Sequence, residues 1–197
     1  MSKSFSKFEN NISSASVLER IFEFLYSKTL PFEPDELLRA EYVMIVSAFD
    51  CYIHDFVREK LIDVFKEHST MADSTKGYKI SLGTMMDIIN ESNPVTQIQL
   101  LEKEIKDIES KNTYQSSRNV EKALTLIGFR KVWSTIYDTG DAKTNKDQLD
   151  LIVRRRNQIA HEADMDFVTN KKNPISLEDI LYAKKFLRDL VDKIDNL

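Results

Sequence analysis

One cysteine in 197 residues, Cys51, excludes an intramolecular disulfide and leaves stability to a hydrophobic core, which a chain of this length can build unaided. Its place in an apolar helical pattern reads as a buried, inert thiol, in keeping with a cytoplasmic setting. Glycine and proline are also scarce, four of each, which argues against a turn-rich sheet protein. The glycines, Gly77, Gly83, Gly128 and Gly140, are too scattered for a Walker loop or a dinucleotide fingerprint. With three histidines, no paired-cysteine motif, no His-Glu-x-x-His and no Asp-rich calcium loop, the chain is expected to need neither metal nor cofactor. Long apolar runs are missing too. Tyr42 to Phe49 is followed directly by Asp50, far short of the roughly 20 residues that span a bilayer. Met1 to Ser16 lacks the apolar stretch of a signal peptide, so a soluble protein with no membrane partner is expected. Nor is there an excess of positive charge. The net charge of −4 excludes the field of a general nucleic-acid coat protein, and any RNA contact must be local.

What is present is helical periodicity. Apolar residues make up 42% and charged residues 30%, and both are distributed in stripes. Val17, Leu18, Ile21, Phe22 and Leu25 predict a helix from Ala15 to Ser27, which Pro31 and Pro34 separate from the next, leaving 1–14 as a flexible N-terminus. Leu38, Tyr42, Ile45, Phe49, Tyr52, Ile53, Phe56 and Val64 hold one face of a long central helix from Asp35 to about Glu67. After a polar loop, Ser69 to Lys79, Ser81 caps a short helix through Ile89. Pro94 restarts the chain into a helix over Val95 to Ile108, and Val120 to Tyr137, interrupted by Gly128, allows two more. Asp138 to Asn145 reads as a loop ending in a capping box, Asn145 with Gln148, and Ser176 with Asp179 repeats the pattern before a last helix to about Ile194. The expectation is an all-α fold, one domain over 1–197, a bundle of six or seven helices.

The chemistry concentrates in Arg154-Arg155-Arg156-Asn157-Gln158-Ile159-Ala160-His161-Glu162, inside the penultimate helix. A guanidinium can neutralise and orient a phosphodiester through its fork of donors, and an imidazole can move a proton at neutral pH. On a wheel of about 100° per residue, Leu149, Ile152, Val153, Ile159, Ala160 and Ala163 share one face with Arg156 in its middle. A charge there must find a partner, because an isolated buried ion costs several kcal/mol or more. Arg154, Asn157 and His161 share the adjoining edge. Arg156 and His161 lie about 140° apart, so their joint use needs a bend, side-chain reach or a second copy.

Arg156-Asn157, three residues, then His161 resembles the signature of the HEPN superfamily: an arginine, four to six residues, then a histidine, often with a polar residue after the arginine. Within it the chain is most similar to the RiboL-PSP-HEPN group, with Ser47-Ala48-Phe49-Asp50-Cys51-Tyr52-Ile53-His54-Asp55 on an early helix and Arg155-Arg156-Asn157-Gln158-Ile159-Ala160-His161 on a late one. The resemblance implies an all-helical, metal-independent endoribonuclease whose homodimer brings two motifs into a shared cleft. It implies Arg156, Asn157 and His161 as the catalytic set, with RNA as substrate and a toxin or antiviral defence role, with an antitoxin or defence-system partner. Arg154 and Arg155 stand at permitted spacings as well and are expected to bind substrate. Arg156 is chosen for its following Asn. In HEPN toxins paired with nucleotidyltransferase antitoxins, a tyrosine often stands two positions after the histidine. Ala163 occupies that position here, which weakens that pairing. A noncatalytic dimerisation or nucleotide-sensing module is the alternative, consistent with the acidic pI near 5.5.

Asp50 and His54, one turn apart on the central helix, are expected to support the site, Asp50 by meeting Arg156. His68, beside a loop, is assigned no role. Phe129, Trp133 and Tyr137 have the spacing of core residues rather than of a base-stacking platform.

Overall fold

The axis of the molecule is α2 (Asp35–Glu67), whose 33 residues place side chains against neighbours on several sides. In the computed structural model, which describes residues 1–29, 31–67, 72–138 and 140–197, α2 packs on α1 (Lys3–Tyr26), α4 (Pro94–Glu109), α5 (Ser117–Leu126), α7 (Asp141–His161) and α8 (Leu177–Asp195). The central position explains its composition. Besides the expected stripe, Val46, Ala48, Val57 and Ile62 are buried, so α2 is apolar on more than one face, as a helix enclosed by others must be. The core joins Phe8 and Ile12 of α1, Ile45, Phe49, Tyr52 and Phe56 of α2, Leu124 of α5, Leu149 of α7 and Leu187 and Leu190 of α8.

Eight α-helices occur among the described residues, the others being α3 (Leu82–Asn90) and α6 (Val132–Ile136), so the bundle has one helix more than the upper expectation. Both halves of the Val120 to Tyr137 stretch fold separately. Gly128, at φ +101, permits the turn between α5 and α6, a region of backbone space that L side chains avoid. Trp133 is buried and stacks on Tyr137, and its Nε1 donates to the Ser117 carbonyl at 3.3 Å. Phe129 stacks on Phe56. These three aromatics belong to the packed interior and its edge, as their spacing predicts.

Three helix starts follow the cap chemistry in the sequence. Ser81 accepts from the Thr84 N–H, Asn93 precedes Pro94 and accepts from the Val95 N–H, and Ser176 with Asp179 forms a reciprocal capping box. Two starts differ. The first helix begins at Lys3 rather than Ala15, so residues 3–14 are helical instead of forming a flexible terminus. Ser2 caps it by accepting from the Phe5 N–H, Glu59 of α2 accepts from the Ser4 N–H and hydroxyl, and Phe8 is buried. The helix α7 begins at Asp141, so Asn145 lies one turn inside it and donates from Nδ2 to the Asp141 carbonyl instead of capping. Cys51 is half-buried rather than buried, with burial and the neighbouring Asp55 carboxylate raising its thiol pKa and keeping it unreactive. His68 lies outside the described residues.

Candidate functional site

The helix α7 is seated by Leu149, Ile152 and Val153, which are buried, and by Asp150, whose carboxylate accepts from the Ser117 N–H at 2.8 Å and the Ser117 hydroxyl at 2.7 Å. That contact places a negative charge at the N-terminus of α5, where unpaired N–H groups and the helix dipole favour it. Anchored there, α7 carries the arginine motif to the edge of the bundle. The apolar face is narrower than the wheel implies: Ala160 is exposed, and Ala163 lies beyond the helix end and is exposed too.

The end of α7 is a sharp reversal. The Gln158 carbonyl accepts from both the Glu162 and Asp164 N–H groups at 3.0 Å, and Ala163 and Asp164 are consecutive left-handed residues at φ +52 and +59. Left-handed backbone costs a non-glycine residue about 1–2 kcal/mol. What holds the turn is the Asp164 side chain, which is fully buried. Its carboxylate accepts from Arg39 Nε at 2.8 Å and from Arg155 through both Nη1 and, at 3.0 Å, Nη2. The Arg155 fork also reaches the Pro174 carbonyl at 3.0 Å, and Arg39 Nη2 reaches the Asn173 carbonyl at 2.7 Å. One buried carboxylate thus ties α2, the end of α7 and the segment leading into α8.

The three arginines therefore differ. Arg154 is exposed. Arg155, expected as a substrate ligand, has its guanidinium engaged within the chain by Asp164 and the Pro174 carbonyl. Arg156 is half-buried, donates from Nη1 to Asn157 Oδ1 at 3.0 Å, and has a buried Nε with no hydrogen-bond partner among the described residues. A buried guanidinium N–H left unpaired is costly, so Arg156 carries an unmet demand for an acceptor. His161, at the last position of α7, is exposed and makes no side-chain hydrogen bond among the described residues. Arg156 and Asn157 are brought together directly, whereas Arg156 and His161 share no hydrogen bond within this chain.

Asp50 does not meet Arg156. Its carboxylate accepts from the Tyr114 N–H at 2.6 Å and from Gln115 Nε2 at 3.1 Å, organising the turn before α5. His54 stands 3.8 Å from Asp50 and packs on the Tyr114 ring at 4.6 Å between centroids. Both residues support the α4–α5 connection rather than the arginine motif. Sequence reasoning missed Asp164 and Arg39. The one local sign was an Asp three residues beyond the histidine, and nothing in the spacing says that Arg39, 125 residues away, would reach it.

A cleft of about 310 Å³ lies elsewhere, lined by Lys3, Lys7, Asp55, Arg58, Glu59 and Glu102 among others, and contains no motif residue. Within it Lys7 and Arg58 both pair with Asp55, and Arg58 also lies 3.5 Å from Glu102. Among the described residues no group of three or more potential ligands could hold a metal ion, and no helix is long and apolar enough to cross a membrane.

An all-helical bundle that displays Arg-Asn-x3-His near the end of a late helix defines the class to which this protein should be compared. The family model RiboL-PSP-HEPN matches residues 3–197, essentially the whole chain, and the protein belongs to that family. No curated protein and no solved structure was found to match it.

Proposed function

We propose that the protein is a metal-independent endoribonuclease that cuts RNA at a site shared by two copies of the chain. The observation that carries the reading is the state of Arg156: a guanidinium oriented by Asn157, with a buried Nε unpaired, on the helix that ends in an exposed His161. A phosphodiester oxygen is an acceptor of the kind that donor lacks. Because Arg156 and His161 point about 140° apart on one helix, a second α7 facing the first supplies the missing partner.

In this reaction a ribose 2′-oxygen attacks the adjacent phosphorus, forming the 2′-O–P bond while the P–O5′ bond breaks. One His161 removes the 2′-OH proton and the other protonates the departing 5′-oxygen, with Arg156 stabilising the added charge on the phosphoryl oxygens. The products are a 2′,3′-cyclic phosphate and a 5′-hydroxyl end. Asn157 holds the Arg156 fork, and the exposed Arg154 contributes to RNA binding. Arg155 acts on the architecture, through Asp164. The same reading places the protein in the cytoplasm, as a toxin or antiviral defence effector with an antitoxin or defence-system partner. A chelator separates this reading from that of a noncatalytic dimerisation or nucleotide-sensing module. In EDTA the purified protein is expected to cut single-stranded RNA and leave cyclic phosphate ends. A single 2′-deoxy substitution at the mapped position should block that cut. Cleavage of the deoxy substrate at the same place, or none of unmodified RNA, would reject the proposal.

A further inference from the structure

Directly after the motif helix the chain forms a hairpin, β1 (Met165–Asp166) paired antiparallel with β2 (Lys171–Lys172), whose tip exposes two large apolar side chains. Phe167 is 84% exposed and Val168 94%, though the tip is held in a fixed conformation. The Asp166 carboxylate accepts from the Val168 N–H at 3.0 Å, the Thr169 N–H at 2.7 Å and the Thr169 hydroxyl at 2.9 Å. The Asn170 N–H returns to the Asp166 carbonyl at 2.9 Å, with Asn170 itself left-handed at φ +51. The base of the hairpin is fastened as firmly. The Asn173 N–H and side-chain amide donate to the Asp164 carbonyl, and Asp164 is the residue that clamps Arg155 of the motif.

A chain does not ordinarily fix a phenylalanine in water on a short, hydrogen-bonded turn, because burying that ring elsewhere would stabilise the fold. The surroundings favour one occupant. Lys171 is exposed on the second strand and Arg154 on α7, while the neighbouring Lys172 is paired with Glu36. Phe167 lies six positions after His161, a reach of at most about 20 Å of chain, and the reversal at Ala163 shortens it. An aromatic face flanked by cations beside a phosphate-directed motif is the arrangement that stacks a base of single-stranded nucleic acid while the cations follow its backbone.

We infer that Phe167 is a base-stacking finger that holds the unpaired RNA strand next to the scissile linkage, and that Lys171 contacts the neighbouring phosphate. This rests on the endoribonuclease reading above. It makes Phe167 a positioning residue, one that selects unstacked, single-stranded substrate over duplex. The stacking is sequence-tolerant, since every base offers a π face.

The test uses full-length H161A protein, which binds without cutting, and a fluorescent single-stranded oligoribonucleotide followed by anisotropy at fixed salt. Adding Phe167→Ala or Phe167→Leu should weaken binding roughly tenfold or more, and Phe167→Trp should retain it. In the active protein Phe167→Ala should raise KM for single-stranded RNA. Equal affinity for Ala, Leu and Phe at this position overturns the finger. So does a Phe167→Ala protein whose defect is a changed oligomeric state by sedimentation, which would make the tip a contact between copies. Wild-type cutting with unchanged KM in Phe167→Ala defeats the finger and leaves the nuclease reading standing. RNA binding that depends on Phe167 without any cutting by the wild type defeats the nuclease reading and leaves the finger. A parent protein that neither binds nor cuts removes both.

Discussion

Asp164 shows how much one side chain can organise. Its buried carboxylate faces two guanidinium groups, and removing it would leave Arg39, itself buried, with only the solvent-exposed Glu36 carboxylate as an ionic partner. Breaking a buried pair from one side costs about 3–5 kcal/mol, so Asp164→Ala should lower stability by an amount of that order in denaturant titration. Ala163 presents the opposite case. Its left-handed backbone suits glycine better than alanine, and Ala163→Gly should gain about 1 kcal/mol, raising Tm by about 2–4 °C for a chain of this size. A loss of stability instead would mean that the turn is not left-handed in solution. Glu41 is a third isolated case. It is fully buried on α2, 2.9 Å from Lys184 Nζ, with Glu19 on the same ammonium. Burial raises the Glu41 pKa above 4.5, and Lys184 offsets only part of that. A carboxyl with a raised folded-state pKa favours the folded state while protonated. Its contribution is therefore lost as pH rises from 4.5 through the folded value. Glu41→Gln should flatten stability against pH in that window, as urea midpoints would record. An unchanged slope would exclude Glu41 as its source.

At the scale of elements, the starts that were legible in the sequence are those made by local chemistry. Ser81 and Ser176 each satisfy N–H groups of the helix they precede, and Pro94 opens the first turn of α4, so the signal lies within four residues. The start of α1 was not legible because Ser, Asn and Lys dilute its apolar positions, and what fixes it comes from Glu59 and Asp195, far along the chain. The start of α7 was misplaced because a capping-box pattern recurs inside a helix when its side chain turns back to a carbonyl, as Asn145 does. The same division runs through the site. The motif and its helix could be read directly, and so could the difficulty of joining Arg156 to His161. The separate fates of the three arginines could not, since angle on a wheel does not say where a helix ends or what a remote Arg39 shares with Arg155. Asp50 was drawn away from Arg156 by the backbone of Tyr114, a donor that no sequence pattern displays.

For the whole molecule, the family assignment and the helical bundle are one statement, and the geometry adds a division of labour along α7. Leu149, Ile152 and Val153 hold the helix to the core, Arg155 and Asp164 set its end, and Arg156, Asn157 and His161 are the residues to which the proposed function gives the chemistry. The central claim is that Arg156 and His161 act on one phosphodiester. Residues that serve a single transition state are not additive: once one is removed, losing the other costs little more. The most direct measurement is the single-turnover rate of RNA cleavage in EDTA for wild type, Arg156→Ala, His161→Ala and the double variant, each shown by circular dichroism and sedimentation to fold and associate normally. The account predicts that each single variant loses about 10²–10⁴-fold and that the double variant is no slower than the slower single. Wild-type rates in either single variant, or losses that multiply in the double, would contradict it.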